Sequence, residues 1–469
     1  MTVAAASKLS HTNFLRLLRL LAALVLLVAP GWAPGWAQSP DQTSAPSSAA
    51  TATPSSSQAT PPTAEELLRQ AEEALQKEDY AAAAKVLESY LEQEPEDYRA
   101  EFNLAYAYSL TGWPAEAIAH YKKVLWREPE LIAAHRNLGI LLVEQQTAAE
   151  AEEHLRRVVE KQPNDATATF YWAEALSALQ RMAEAREAYE RVLKLDPDHV
   201  LAHLGAGRLL AETDPAAAEN HLRSALQKDP SLEEAQLLLA GALEARASND
   251  PAVLGEAAEL YQQYLADHPG RSDVRFRLGQ VYAASQQFQA AAEQFEALRK
   301  AGDSSPELRE SLLQAYLRGS AANPAENKEK AAALLEEILA QDESNAEMRL
   351  LYGRLQLEKK QYRQAAEQFE RVARLRPDSA EVFSNLASAL YLVQDYAGTV
   401  AALDKVAELK QDTPGTYFLR AIALDKLGQL QPALENYQRF LDTDGGKNPD
   451  QEFQARQRSR VLLREIRRR

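Results

Sequence analysis

The sequence predicts an all-α solenoid of about eleven helix-turn-helix units that ends in a C-terminal capping helix. The first observation behind this prediction is a period, because Pro95, Pro129, Pro163 and Pro197 stand 34 residues apart and the residues before them recur in phase. Such a period is typical of stacked repeats, in which each unit buries its apolar face against its neighbours. The second observation is composition: from Thr63 onward helix-forming residues dominate, and no β-branched run competes with them.

Residues 1–37 have the pattern of a secretory signal peptide. A positively charged start without acidic residues precedes an apolar run, residues 20–29, that is short for a membrane span. The basic residues of this start are Lys8, Arg16 and Arg19. The small residues Gly35 and Ala37 favour cleavage after Ala37, and Pro34 hinders the nearest alternative. The pattern predicts an exported protein, periplasmic or secreted, with an uncleaved N-terminal anchor as the alternative.

Residues 38–62 are rich in Ser, Thr, Ala and Pro and carry almost no large apolar side chain. Such a segment cannot bury enough apolar surface to offset the entropy lost on ordering, so we expect a disordered linker. The whole chain contains no cysteine, which excludes disulfides, thiol catalysis and cysteine-bound zinc.

The repeated segment, residues 63–445, carries a motif as well as a period. In units two to four a large apolar residue precedes a small one, an alanine follows, and a second large apolar residue stands four positions after that alanine. The residues are Leu104-Ala105, Ala117 and Tyr121; Leu138-Gly139, Ala151 and Leu155; and Trp172-Ala173, Ala185 and Tyr189. This motif resembles the tetratricopeptide repeat (TPR). The resemblance implies a right-handed superhelix of paired helices, A and B, that approach closely at the alanine. The eighth and tenth units are the least regular.

Residues 446–469 are basic and are predicted to form a helix that covers the last repeat. Their apolar residues, near helical spacing, are Phe453, Val461, Leu462 and Ile466. The arginines of this segment could alternatively form a patch that binds a membrane or a nucleic acid. A cap is favoured, because the acidic repeats supply partners for those arginines.

The sequence offers no sign of catalysis. Its formal net charge of −16 disfavours binding of a phosphate backbone. No metalloprotease, nucleophile-elbow or phosphate-loop motif occurs in the chain. His199 and His203 could share a helical face as metal ligands, but no further ligands accompany them. We therefore expect a non-enzymatic protein without a metal or cofactor.

The resemblance to TPR proteins implies that helix A of each unit lines a concave groove where partners bind. Carried onto units two to four, the groove positions of the family fall on ten residues. Eight of them are here called the predicted groove: Arg99, Phe102, Asn103, Tyr106, Arg136, Asn137, Ile140 and Phe170. The other two are Ser109 and Glu174. Aromatic and arginine side chains are enriched at binding hot spots. The first unit carries Leu68 and Glu72 where chaperone-tail binders of the family need Lys and Asn, which disfavours that specialised function.

Two functions remain open from the sequence. The first is a non-catalytic scaffold of the bacterial cell envelope that binds extended segments or helices of other proteins in the groove. The alternative is an accessory subunit of a polysaccharide-synthesis or secretion machine, whose groove could bind glycan. Stacked Tyr and Trp would favour glycan, whereas Asn together with Arg would favour an extended peptide.

Overall fold

The computed structural model describes residues 62–248, 250–319 and 324–468. Within these ranges all regular structure is helical, with 23 α-helices and one 3₁₀ turn at Pro251–Val253. The all-α prediction is confirmed. The predicted signal peptide, and the predicted linker apart from its last residue, lie outside the described residues.

The helices form eleven consecutive pairs followed by a last helix. Helices A of the pairs are α1 (Ala64–Gln76), α3 (Tyr98–Thr111), α5 (Ile132–Glu144), α7 (Ala166–Ala178), α9 (Val200–Leu210), α11 (Glu233–Arg246), α13 (Ser272–Ala284), α15 (Pro306–Arg318), α17 (Ala346–Glu358), α19 (Ala380–Leu392) and α21 (Pro414–Lys426). Helices B are α2 (Tyr80–Gln93), α4 (Pro114–Arg127), α6 (Ala148–Lys161), α8 (Met182–Leu195), α10 (Pro215–Lys228), α12 (Leu254–Asp267), α14 (Phe288–Lys300), α16 (Pro324–Gln341), α18 (Tyr362–Leu375), α20 (Tyr396–Glu408) and α22 (Leu430–Asp444). The last helix is α23 (Pro449–Arg468).

The described chain divides into two compact parts. The N-terminal part holds residues 62–213 and 223–230, and the C-terminal part holds residues 214–222 and 231–468. Each part buries apolar clusters that join successive units. Contacts run mainly between helices that follow one another in sequence, with fewer between successive A helices, as expected for a repeat fold.

Small residues let the two helices of a unit approach closely. Ala117, Ala151 and Ala185 are fully buried, as the motif predicts. Unit nine uses a glycine in helix A for the same purpose: a Cβ atom built on Gly353 would lie 2.6 Å from Cε1 of the buried Phe369 ring. Only a residue without a side chain fits there.

The turn between helix A and helix B has a common backbone feature. In eight units one turn residue adopts a left-handed conformation, such as Gly112 with φ 84° and Gln146 with φ 60°. Glycine adopts this conformation without steric cost, whereas other residues rarely do. The turns of the fifth, sixth and eighth units differ in length in the sequence, and those of the sixth and eighth include residues outside the described ranges.

Helix α23 packs on α22 and closes the last apolar cluster. Its buried face consists of Ala455, Ser459 and Leu462, with Ile466 partly buried beside them. The predicted capping helix is confirmed, but two of the apolar residues expected to pack on the last repeat do not do so. Phe453 is 64% exposed and Val461 is 39% exposed, because the helix turns both side chains away from α22.

Candidate partner-binding groove

The α3 portion of the predicted groove combines one cation with aromatic rings. Asp97 caps the start of α3 by accepting hydrogen bonds from the backbone N–H groups of Arg99 and Ala100. The exposed Arg99 guanidinium lies 5.8 Å from the centre of the Tyr98 ring. Among the described residues Arg99 makes no ion pair, so its charge is available to a partner.

Two half-buried aromatic side chains of α3 are held in place by other rings. Phe102 meets Tyr121 edge to face, with ring centres 5.4 Å apart. Tyr106 meets Tyr80 in the same way at 5.9 Å. Burial raises the pKa of Tyr106 to about 12, and its enclosed hydroxyl has no hydrogen-bond partner among the described residues. Both rings are therefore preorganised.

The α5 portion of the predicted groove is largely occupied by contacts within the protein. Arg136 Nε lies 2.8 Å from Oδ2 of Asp165, while the other oxygen of Asp165 caps α7 through the Ala168 N–H. The charge of Arg136 is thus neutralised, and the residue ties unit three to unit four. Asn137 donates a hydrogen bond of 3.0 Å from Nδ2 to the hydroxyl of Tyr121. Ile140 is partly buried against the core.

Phe170 does not present a ring for partner binding, contrary to the prediction. Its side chain is only 8% exposed, and its ring lies within 5.0–6.3 Å of the rings of Tyr171, Tyr189 and His199. Burial of an aromatic ring among others is strongly favourable, so Phe170 belongs to the core between units four and five.

The sequence placed Glu174 at a groove position but did not predict the polar cluster that this residue forms with Tyr189 and Arg208. Glu174 of α7 accepts a hydrogen bond from the buried Tyr189 hydroxyl, and Arg208 of α9 lies 3.1 Å from both oxygens of the Glu174 carboxylate. Glu174 and Arg208 are 34 residues apart, one repeat, and therefore occupy equivalent positions on neighbouring A helices. That spacing is the signal that could have found the pair.

The same arrangement recurs in the C-terminal part. Tyr261 donates a 3.1 Å hydrogen bond to Glu244, and Arg277 donates one of 3.3 Å to the Tyr261 hydroxyl. Burial is the main cause that raises the pKa of Tyr261 to about 12. A helix B tyrosine thus reaches between successive A helices and meets their charged side chains, which fixes the spacing of those helices.

Glu144, at the end of α5, is a half-buried carboxyl with an unusual environment. Its Oε1 atom is enclosed and has no hydrogen-bond partner among the described residues. Burial raises the pKa of Glu144 to about 7. Burial is the main cause that raises the pKa of the neighbouring Tyr171, and the negative charge of Glu144 is the second cause.

The histidines weighed as metal ligands have structural contacts instead. His199 caps α9, where its Nδ1 accepts a 3.1 Å hydrogen bond from the Ala202 N–H. His203 places Nε2 3.0 Å from the carbonyl oxygen of Pro197. No group of three or more metal-ligating side chains occurs within residues 62–248, 250–319 and 324–468.

The predicted groove therefore contains one unpaired cation, two fixed aromatic rings and an amide, Asn103, that makes no hydrogen bond among the described residues. Such a surface suits noncovalent binding. No helix in the described ranges combines the length and hydropathy needed to cross a membrane.

The fold and this surface define the class of protein as an all-α repeat protein. One family model described as tetratricopeptide repeat matches residues 68–131, 114–166, 136–200 and 170–214. A second model with the same description matches residues 254–315 and 325–390. These matches extend over more than half of the chain. The chain belongs to the tetratricopeptide repeat family, and its repeats make it a protein–protein interaction scaffold.

Several solved structures are similar to this chain. A tetratricopeptide repeat protein from Parabacteroides merdae is 18% identical, with 54% of this chain and 98% of that chain covered and a TM-score of 0.38. The pilF protein of Pseudomonas aeruginosa is 21% identical, with coverage of 48% and 96% and a TM-score of 0.37. YrrB, described as a TPR protein with an unusual peptide-binding site, is 18% identical, with coverage of 40% and 95% and a TM-score of 0.35. No curated protein matches the chain significantly.

Proposed function

We propose that the protein is a non-catalytic scaffold of a bacterial cell envelope that binds extended segments of other proteins along α3 and α5. The observation that carries the binding site is the set of Arg99, Phe102, Asn103 and Tyr106 on one helix, with Asn137 and Ile140 on the next. Aromatic contacts hold Phe102 and Tyr106 in place before a partner arrives, which lowers the entropy cost of binding.

Peptide is the better-supported ligand class for this surface. An amide such as Asn103 can both donate to and accept from the backbone of an extended chain, and Arg99 can bind a carboxylate or a carbonyl oxygen. Glycan binding would be favoured by Tyr and Trp rings stacked in the groove. Tyr106 meets Tyr80 edge to face, and Trp172 on α7 is half-buried and donates a 3.4 Å hydrogen bond to Glu152. The exposed tryptophans instead lie in or next to helix B, Trp113 just before α4 and Trp126 near its end.

The envelope location rests on the N-terminal sequence. A positively charged start, a short apolar run and small residues before position 38 are typical of export. The Ser- and Pro-rich residues that follow would space the repeats from whatever the chain is attached to.

A peptide-display screen tests the binding site. The exported chain is used to select linear peptides, whose affinities are then measured by fluorescence anisotropy. The double variant Arg99→Ala with Asn103→Ala should weaken binding at least tenfold, because truncation of a hot-spot side chain costs about 2 kcal/mol or more. These side chains lie outside the core, so the helical circular-dichroism signal should stay unchanged.

The matched control removes two charges from helices B, Glu116→Ala with Glu150→Ala. Glu116 is exposed, and Glu150 makes only a surface ion pair of 2.7 Å with Lys122, so folding and peptide binding should both persist. Peptides that bind the double variant as tightly as the parent chain would place the site elsewhere. Equal loss in the control would show that the effect is not specific to the groove.

A further inference from the structure

The last helix, α23, has a second face that the cap does not use. Four arginines, Arg456, Arg460, Arg464 and Arg467, are exposed, and their spacing of four, four and three residues aligns them in one stripe. Buried Ala455 and Leu462 lie on the opposite side, against α22. The stripe is therefore directed to solvent by the packing of the cap itself.

Three arginines of α23 have no ion-pair partner among the described residues. Residues 449–468 contain six arginines against three acidic residues, in a chain whose net charge is −16. Arg458 is held by Asp425 at 2.5 and 2.8 Å, and Arg456 lies 3.3 Å from Glu452. Arg460, Arg464 and Arg467 make no ion pair within the described residues. Two acidic side chains of α23, Glu452 and Glu465, pair with Arg456 and Arg458 and not with these three arginines.

Large apolar side chains flank the stripe. Phe453 is 64% exposed, Leu463 40% and Val461 39%. Arginines with an exposed aromatic ring and aliphatic side chains on the same helix are the combination that binds at the interface of a membrane. An anionic leaflet attracts the arginines, and the apolar groups enter the boundary between headgroups and acyl chains.

We propose that the exposed face of α23, formed by Phe453, Arg456, Arg460, Arg464 and Arg467, binds the surface of a bilayer that contains anionic phospholipid. The arginines contact lipid phosphates, and Phe453 enters the headgroup boundary. A nucleic acid would also meet the arginines, but it gains less from the flanking Leu463 and Val461. This membrane contact lies on α23, whereas the predicted groove lies on α3, α5 and α7, so the two proposals concern different residues and are tested separately.

Vesicle sedimentation tests the proposal. The exported form from Gln38 contains every described helix and lacks the apolar run at residues 20–29, which could itself enter lipid. It should sediment with phosphatidylcholine vesicles that contain phosphatidylglycerol, sediment poorly with phosphatidylcholine alone, and be released by high salt. The double variant Arg460→Gln with Arg464→Gln should bind at least tenfold more weakly. Phe453→Ser should bind several-fold more weakly and be released at lower salt.

The matched control is Arg371→Gln with Arg374→Gln, which removes two exposed arginines one turn apart from α18. It should bind vesicles like the parent chain. The proposal is overturned if phosphatidylglycerol does not increase sedimentation of the parent chain. It is equally overturned if the α18 and α23 variants lose binding to the same extent, or if the α23 arginine variant binds like the parent chain. It is also overturned if the parent chain binds duplex DNA more tightly than vesicles, or if substitution of these arginines instead dissociates a dimer of the chain.

Discussion

At the scale of single residues, the packing of each unit depends on positions where a side chain must be small. Ala117, Ala151 and Ala185 occupy such positions on helix B, and Gly353 does so on helix A. In unit ten Thr399 takes the place of the alanine, and its hydroxyl donates a 2.7 Å hydrogen bond to the Asp395 carbonyl. The buried hydroxyl is thus satisfied, which explains how a polar residue is tolerated there.

Gly353→Ala should destabilise the ninth unit. The new methyl group would press on the fully buried Phe369 ring, and overpacking of a core costs about 1–3 kcal/mol. Alanine's better helix propensity returns only about 1 kcal/mol. Hydrogen exchange of α17 and α18 should therefore become faster. Gly255→Ala is the control, because no atom lies within 4 Å of its built Cβ, and it should be neutral or slightly stabilising. Equal effects of the two substitutions would contradict the steric argument.

Glu144→Gln should stabilise the protein at high pH but not at low pH. Burial raises the pKa of Glu144 from 4.5 to about 7, so the folded state binds more protons than the unfolded state between these values. Stability is therefore lost as the pH rises through about 7. The glutamine variant escapes this loss and should be on the order of 1–2 kcal/mol more stable at alkaline pH, after allowance for solvent screening.

Denaturant unfolding of the Glu144→Gln chain and its parent, at pH values on either side of this range, measures the effect. Glu116→Gln, which removes an exposed carboxyl, serves as the control. A constant difference between parent and Glu144→Gln at every pH would mean that the carboxyl is solvated.

At the scale of elements, α23 shows how one helix serves two roles. One face completes the apolar cluster of unit eleven, with Phe418, Tyr437 and Phe440 of the repeat beneath it. The other face is basic and exposed. A terminal repeat of a solenoid exposes the face that would otherwise meet a neighbour, so a helix with a polar outer side is needed there.

Leu462→Ala should loosen the end of the repeat array, whereas Leu463→Ala should not. Leu462 is fully buried and Leu463 is 40% exposed, although the two stand side by side in the sequence. Truncation of a buried leucine costs about 2–5 kcal/mol. Hydrogen exchange should rise in α21, α22 and α23 of the Leu462 variant only, and a similar rise in both variants would refute the cap packing.

At the scale of the whole molecule, the repeats form two compact parts, each stabilised mainly by contacts between units that follow one another in sequence. Local changes such as those at Gly353 and Leu462 should therefore unfold neighbouring helices before distant ones. The described residues start at the last residue of the predicted linker, so the prediction that the chain is exported rests on the sequence alone.

The exported protein should begin at Gln38. Gly35 and Ala37 provide the small residues that signal peptidase needs, and Pro34 hinders the nearest alternative. N-terminal sequencing of protein recovered from the envelope fraction measures the start directly. An Ala37→Arg variant should accumulate uncut. Recovery of the parent chain with its first residues intact would mean that the apolar run stays as an anchor.

The sequence by itself determined the helices, their pairing and the family, because a period of 34 residues and the small-residue positions are local features that recur in phase. It also located the capping helix. Only the tertiary structure decided which side chains of that pattern are exposed and can contact a partner. Arg136 is bound to Asp165 of the next unit, Phe170 is enclosed by rings from α7, α8 and the start of α9, and Phe453 is turned outward. These outcomes depend on residues that are distant in sequence and meet only when neighbouring units stack, so no repeat motif encodes them.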